Sequence, residues 1–341
     1  MVTQSSNHDW LQRHTEDALE PDLPICDPHH HLWDHRQGQV HSRYLLDEIL
    51  SDLSGGHNIV STVHIECGSM FKADGPEPYR SVGETEFVNG IAAMANSGIY
   101  GPTRVAAGIV GTVDLKIGDA AADVLDQHIA AAGGRFRGIR LGALWHQSEA
   151  VRNHRTNPPE GLLLRDDFRA GFKHLEPRDL SFEAWVCHPQ IPDVADLAGA
   201  FPTTNIVLNH FGGPLGIGPY ASQSDAVFDD WKSMIDDLAQ HPNVMAKLGG
   251  LNMDINGYGW EVQPEPPSSE ALMEATRRYF DYMIGRFGIA RCMFESNFPV
   301  DKFSCSYTVL WNAFKKLTEG YSGDERSALF HDNAKRIYRL N

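Results

Sequence analysis

Eight short apolar runs, each followed by a longer stretch that reads as helix or loop, set the narrowest limit on what this chain folds into. They cover residues 25–26, 59–67, 105–110, 136–141, 182–187, 205–209, 244–248 and 292–294. Their apolarity is continuous rather than alternating, which suits strands covered on both faces, as in a parallel sheet. Residues 120–132 between them are rich in helix formers and end at Gly133-Gly134, a helix stop. Residues 193–200 and 228–240 read the same way, 271–287 is a long helix ending at Gly288, and 322–339 is a closing C-terminal helix. Eight strands in βα alternation over 341 residues predict an α/β fold, a TIM (β/α)8 barrel in one domain spanning 25–341, with 1–24 as an N-terminal extension. A doubly wound open sheet is the alternative. The chain has neither the GxGxxG dinucleotide fingerprint nor a Walker phosphate loop, which counts against it.

The charge excludes some partners. With 29 Lys+Arg against 45 Asp+Glu, the formal charge is −16, which speaks against a nucleic-acid binder and against docking on an anionic membrane. No apolar run approaches the ~20 residues of a membrane span, and the first residues lack an apolar signal core. The cysteines, Cys26, Cys67, Cys187, Cys292 and Cys305, are odd in number and form no CxxC pair, so a disulfide framework or a zinc finger is not expected. The reading is a cytoplasmic enzyme with a small-molecule substrate, and a homo-oligomer is compatible with it. Three long connections, 68–83, 142–181 and 252–269, each follow a predicted strand. In a barrel they rise from the catalytic face as lids or substrate walls.

Chemistry concentrates at strand ends. In Asp27-Pro28-His29-His30-His31-Leu32-Trp33-Asp34, His29 and His31 are two apart and point to the same face of a strand. Two neutral imidazoles converging there suit a divalent transition metal. His188 and His210 directly follow the fifth and sixth runs, where barrel enzymes place catalytic groups.

The segments DPHHHLWD, CHP, NHFGGP and MFESNFPVD together resemble the amidohydrolase superfamily, in the branch that holds sugar lactonases, 2-pyrone-4,6-dicarboxylate hydrolases and metal-dependent decarboxylases. The resemblance runs from about residue 25 to the C-terminus. It implies a TIM barrel whose metal ligands are His29, His31 and His188, with zinc the first expectation, although some members of the branch work without a metal. It implies that His210 orients the substrate or polarises the reacting carbonyl. It also implies an Asp at the end of the eighth strand, serving the metal and the attacking water. Here Asn297 stands in that place, and an amide cannot take up a proton as a base. Glu295 and Asp301 flank it, and either is a candidate replacement; a structural pairing of Glu295 with Lys247 or Arg140 is the other reading.

Further candidates are Glu66 at the second strand end and Arg140 at the fourth, an Arg that suits a substrate carboxylate through a bidentate fork. Lys247 is either a site cation or a salt-bridge partner. Trp145, His146, Tyr258 and Trp260 are candidate pocket walls. The function implied is water attack on the carbonyl of a small lactone, carboxylated or sugar-derived. The alternatives are decarboxylation of an aromatic or enoic acid on the same barrel, and a barrel that only binds.

Overall fold

A computed structural model describes residues 4–340. The strands are β1 (Pro24–His30), β2 (Asn58–Ile65), β3 (Arg104–Gly111), β4 (Phe136–Arg140), β5 (Ser181–Ala184), β6 (Ile206–Leu208), β7 (Val244–Leu248) and β8 (Cys292–Phe294). They pair in parallel in the order β1 to β8, each with its sequence neighbour. Beyond the end of β8 the ring closes on β1. The His31 N–H donates to the Phe298 carbonyl at 2.8 Å, and the Asn297 N–H to the His29 carbonyl at 2.9 Å. This is the TIM barrel that the run pattern predicts, and the open sheet is excluded.

The helices are α1 (Gln4–Leu11), α2 (Leu46–Leu53), α3 (Val82–Ala95), α4 (Ala121–Ala131), α5 (Asp166–Phe172), α6 (Ile191–Ala200), α7 (Ser224–Leu238), α8 (Ser269–Phe287) and α9 (Tyr307–Leu317). Local chemistry sets their ends. The Ser268 side chain caps α8 by accepting from the Ala271 N–H, and Gly288 stops that helix at φ 76°. Along α7, Val227, Trp231, Ile235 and Leu238 fall on one face and are buried. The predicted C-terminal helix is broken into Gly323–Ser327, a π turn at Ala328–Asp332, and Asn333–Ile337. Ala334, Ile337, Tyr338 and Leu340 of this last segment pack with Cys26, Val63, Ile65, Val110, Val207, Met245 and Met293. Those strand residues are the inner core of the barrel, so the C-terminal segment plugs its floor.

Before the barrel, α1 is anchored by tertiary contacts. Trp10 and Leu11 are buried, and the Trp10 indole N–H donates to the Gln263 carbonyl. No helix among the described residues is long and apolar enough to cross a membrane.

Candidate active site

Asp27 fixes the floor of the site. Its carboxylate accepts from the Ser296 N–H at 2.9 Å, the Ser296 hydroxyl at 2.6 Å and the Tyr307 hydroxyl at 3.0 Å. Burial raises its pKa to about 6 against these bonds. The acid of the DPHHH motif thus ties the end of β8 to β1, and it brings Glu295 beside His29.

Period-two alternation does the rest. Met245 and Met293 face the inner core, so Lys247 and Glu295, two residues on, stand above them at the catalytic mouth. Glu295 is fully buried, with Oε1 2.6 Å from His210 Nδ1 and Oε2 2.5 Å from His29 Nδ1. The His29 and His210 rings lie 4.5 Å apart, and the edge of Trp185 packs on His210 at 4.7 Å. His210 holds an unusual backbone, φ 51°, which a non-glycine residue keeps only when its surroundings enforce it. Gly250 helps to enforce it: a Cβ there would lie 2.1 Å from His210 Nδ1.

Two buried cations flank the cluster, each already matched to an acid. Arg140 donates through Nε to Glu66 Oε1 at 2.9 Å and through Nη2 to the Glu66 carbonyl at 2.6 Å. It also lies 3.2 Å from His29 Nε2. Arg155, from the long loop after β4, closes on the other Glu66 oxygen. Burial would raise the Glu66 carboxyl, but Arg155 and Arg140 overcome it and hold the pKa at about 2. Lys247 bonds to Glu183 Oε2 at 2.9 Å and stands 3.4 Å from His29 Nδ1 and 4.0 Å from Glu295 Oε2. Glu183 is held in turn by Asn209 at 2.5 Å and by the Tyr338 hydroxyl, which reaches up from the barrel floor.

Burial, then the charges of Lys247, His210, His31 and Arg140, push the His29 pKa well down, so the ring is neutral. A neutral ring carries one proton. Arg140 donates to Nε2, so that proton sits on Nδ1, facing Glu295; Lys247 then has Glu183, not His29, as its hydrogen-bond acceptor.

The other predicted site residues are placed as follows. His31 stands beside His29 with ring centroids 5.0 Å apart, and its Nδ1–H donates to the Ile65 carbonyl at 2.8 Å. Burial holds it neutral. His188 is not in the group that His29 and His210 form with Glu295. The fifth strand ends at Ala184, earlier than the apolar run predicts, and His188 opens a 3-10 turn, His188–Gln190, four residues on. There its Nδ1 accepts from the Leu215 N–H at 3.3 Å and its ring packs on Tyr220 at 4.9 Å. His146 joins that group through a 3.2 Å contact with the Tyr220 hydroxyl, and Trp145 is half-buried nearby. Asn297 is turned from the histidines and donates to Asp301 Oδ1 at 2.8 Å. Asp301 also accepts from the Asn252 N–H, and burial raises its pKa to about 7. The nearest partners of Lys247 and Arg140 are Glu183 and Glu66, and those of Glu295 are the two histidines.

One atom each from His29, His210 and Glu295 lie within 4.8 Å of one another, the only such group of three among the described residues. Two imidazoles and a carboxylate suit a divalent transition ion by type. Glu295 Oε2 suits it too: it is buried, and despite its closeness to His29 Nδ1 it takes no well-aligned hydrogen bond among the described residues. The residues fit such an ion.

Sequence reasoning missed Glu183, Asn209, Arg155, Tyr338 and Trp185. A lone acid inside the fifth apolar run was the available signal for Glu183, since an unpaired buried carboxylate is costly and implies a cation opposite. Nothing local marks Tyr338.

A family model described as amidohydrolase matches residues 26–340. An uncharacterized protein, y4mH, of Sinorhizobium fredii is 35% identical over 337 residues, which is 94% of this chain and 99% of that protein. An L-fucono-1,5-lactonase of Burkholderia multivorans is 27% identical over 238 residues, 70% of this chain and 72% of the lactonase. Among solved structures, an amidohydrolase of Burkholderia multivorans with bound zinc superposes with a TM-score of 0.69 at 23% identity, covering 93% of this chain and 99% of that one.

Proposed function

The chain belongs to the amidohydrolase family, and on that footing we propose that it opens a small, uncharged, sugar-derived lactone by attack of water on the ring carbonyl. The observation that carries this reading is the buried Glu295 carboxylate shared between His29 and His210. Glu295 takes the Nδ1 side of His210, which leaves Nε2 as the nitrogen that can accept a proton. A histidine oriented by a carboxylate is the standard arrangement of a general base. His210 Nε2 accepts a proton from water as its oxygen bonds to the ring carbonyl carbon. It returns that proton to the ring oxygen as the ester C–O bond breaks, giving the hydroxy acid.

His29, His210 and Glu295 are the residues that would hold a divalent ion; a His210 bound through Nδ1 would keep its proton on Nε2 and would not also serve as the base. Such an ion, when bound, polarises a carbonyl and lowers the pKa of water. The chain supplies fixed positive charge beside the cluster, from Lys247 and Arg140, where negative charge develops on the carbonyl oxygen.

The charge pairing supports an uncharged substrate. Glu66 takes Arg140 and Arg155, and Glu183 takes Lys247, so each of these cations already has a carboxylate partner. Trp185, which packs on His210, is uncharged, and so are Tyr220 and His188, the last with its pKa lowered to about 4 by burial and then by His146. The likeness to an L-fucono-1,5-lactonase agrees with a sugar lactone. The test is a panel of neutral aldonolactones and carboxylated lactones, followed by acid release. The expected result is a kcat/KM at least roughly tenfold higher for the neutral class. Preference for carboxylated rings would overturn the substrate reading, and carbon dioxide release from an aromatic acid without lactone opening would overturn the reaction.

A further inference from the structure

Lys247 lies where a charge of its sign is unexpected if the cluster is tuned only to hold a metal. Its ammonium stands 3.4 Å from His29 Nδ1 and 4.0 Å from Glu295 Oε2, on two of the three residues that would hold an ion. It is fully buried and it is held there. Glu183 Oε2 binds it at 2.9 Å, Asn209 fixes that same oxygen at 2.5 Å, and the Tyr338 hydroxyl fixes the other. The Tyr338 ring also faces the ammonium, 5.3 Å from its centroid. On the opposite side of the imidazole, Arg140 donates to His29 Nε2 at 3.2 Å. Both nitrogens of His29 therefore face a built-in cation.

We propose that Lys247 is a resident cation whose charge opposes a divalent ion at His29, His210 and Glu295, and that the Glu183–Asn209–Tyr338 clamp sets how strongly it does so. This inference rests on the reading of His29, His210 and Glu295 as the place an ion would occupy. The physical argument is charge. Arg140, Arg155 and Lys247 match Glu66, Glu183 and Glu295 one for one, so the charges nearest the cluster already cancel. A doubly charged ion adds an excess that the remaining acids do not meet directly, because Asn297 is an amide, Asp301 is turned onto Asn297, and Asp27 is taken up by Ser296 and Tyr307. Ion and ammonium then repel one another across a few ångströms of low-dielectric protein. Lys247 is a positioning residue here: it acts through His29 and Glu295.

The test is zinc titration of the full chain, stripped with chelator and followed by competition against a chromophoric chelator, with no substrate present. Lys247→Met should bind zinc on the order of 100-fold more tightly than wild type. Lys247→Arg, which keeps the charge, should stay within a few-fold of wild type. Glu183→Gln frees the ammonium toward Glu295 and should weaken binding. Adding Glu295→Gln to Lys247→Met should abolish the gain, which locates the ion. Equal or weaker binding by a folded Lys247→Met protein overturns the competition. If Lys247→Met does not fold, tighter or unchanged zinc binding by Glu183→Gln overturns it instead. Zinc bound by neither wild type nor Lys247→Met overturns the ion site as well. Each of these outcomes is independent of which lactone, if any, is hydrolysed.

Discussion

Replacing Glu66 by Gln tests the electrostatic frame of the site. Glu66 is fully buried between Arg140 and Arg155. Its pKa falls from an ordinary 4.5 to about 2, which corresponds to about 3 kcal/mol of stability at neutral pH. Breaking a buried pair from one side typically costs about 3–5 kcal/mol, because the partner keeps its charge. Here Arg140 is that partner, and it is only 4% exposed. Glu66→Gln should therefore lower the unfolding free energy by about 3 kcal/mol at pH 7, read from urea unfolding. The sign with pH follows from the direction of the shift. A depressed carboxyl contributes stability that is complete above its unfolded pKa and is lost as pH falls through its folded pKa. The gap between wild type and variant should thus narrow to about 2 kcal/mol at pH 3.5. A variant within about 0.5 kcal/mol of wild type at pH 7, or a gap that widens as the pH falls, would refute the reasoning.

Three other expectations follow from the geometry. Gly250→Ala adds a methyl group 2.1 Å from His210 Nδ1, at a φ of 73° that suits glycine; hydrolysis should fall about 100-fold, and a kcat within twofold of wild type would contradict the placement of His210. Asn297→Asp sets a second carboxyl 2.8 Å from Asp301, whose pKa is already raised to about 7. One of the two must keep a proton, so the stability lost relative to wild type should be larger at pH 8 than at pH 6, and a pH-independent loss would argue against this pairing. Tyr338→Phe leaves one oxygen of Glu183 without its hydroxyl partner and should cost about 1–3 kcal/mol in unfolding free energy. Unchanged stability would show that the hydroxyl bond contributes nothing.

How far the molecule was legible in its sequence depends on how local each signal is. The last two strands, Val244–Leu248 and Cys292–Phe294, coincide with their apolar runs, because a strand buried on both faces writes its length directly into the sequence. The fifth strand does not. Its run continues to Cys187, but Gln190 reaches back to the Cys187 N–H and the Trp145 N–H and turns the chain after Ala184. That turn carries His188 to Tyr220. The neighbourhood of Glu295 with His210 and His29 is readable from strand-end positions, since all three stand at barrel strand ends. The pairing of Lys247 with Glu183 crosses from the seventh strand to the fifth, and that of Glu183 with Tyr338 joins residues 155 positions apart. Such contacts depend on barrel closure and on how the C-terminal segment enters the floor, and no local pattern encodes them. The anchoring of Gln4–Leu11 is of the same kind, because it depends on Trp10 meeting a loop that lies 253 positions away.

The most direct test of the central claim is lactone hydrolysis by wild type and by Glu295→Gln, with unfolding measured on both. Gln keeps the shape of Glu295 but cannot hold His210 as a base. The account predicts a fall in kcat on the order of 100-fold or more, with KM little changed and the protein folded. A Glu295→Gln protein that opens the same lactone at the wild-type rate would contradict it.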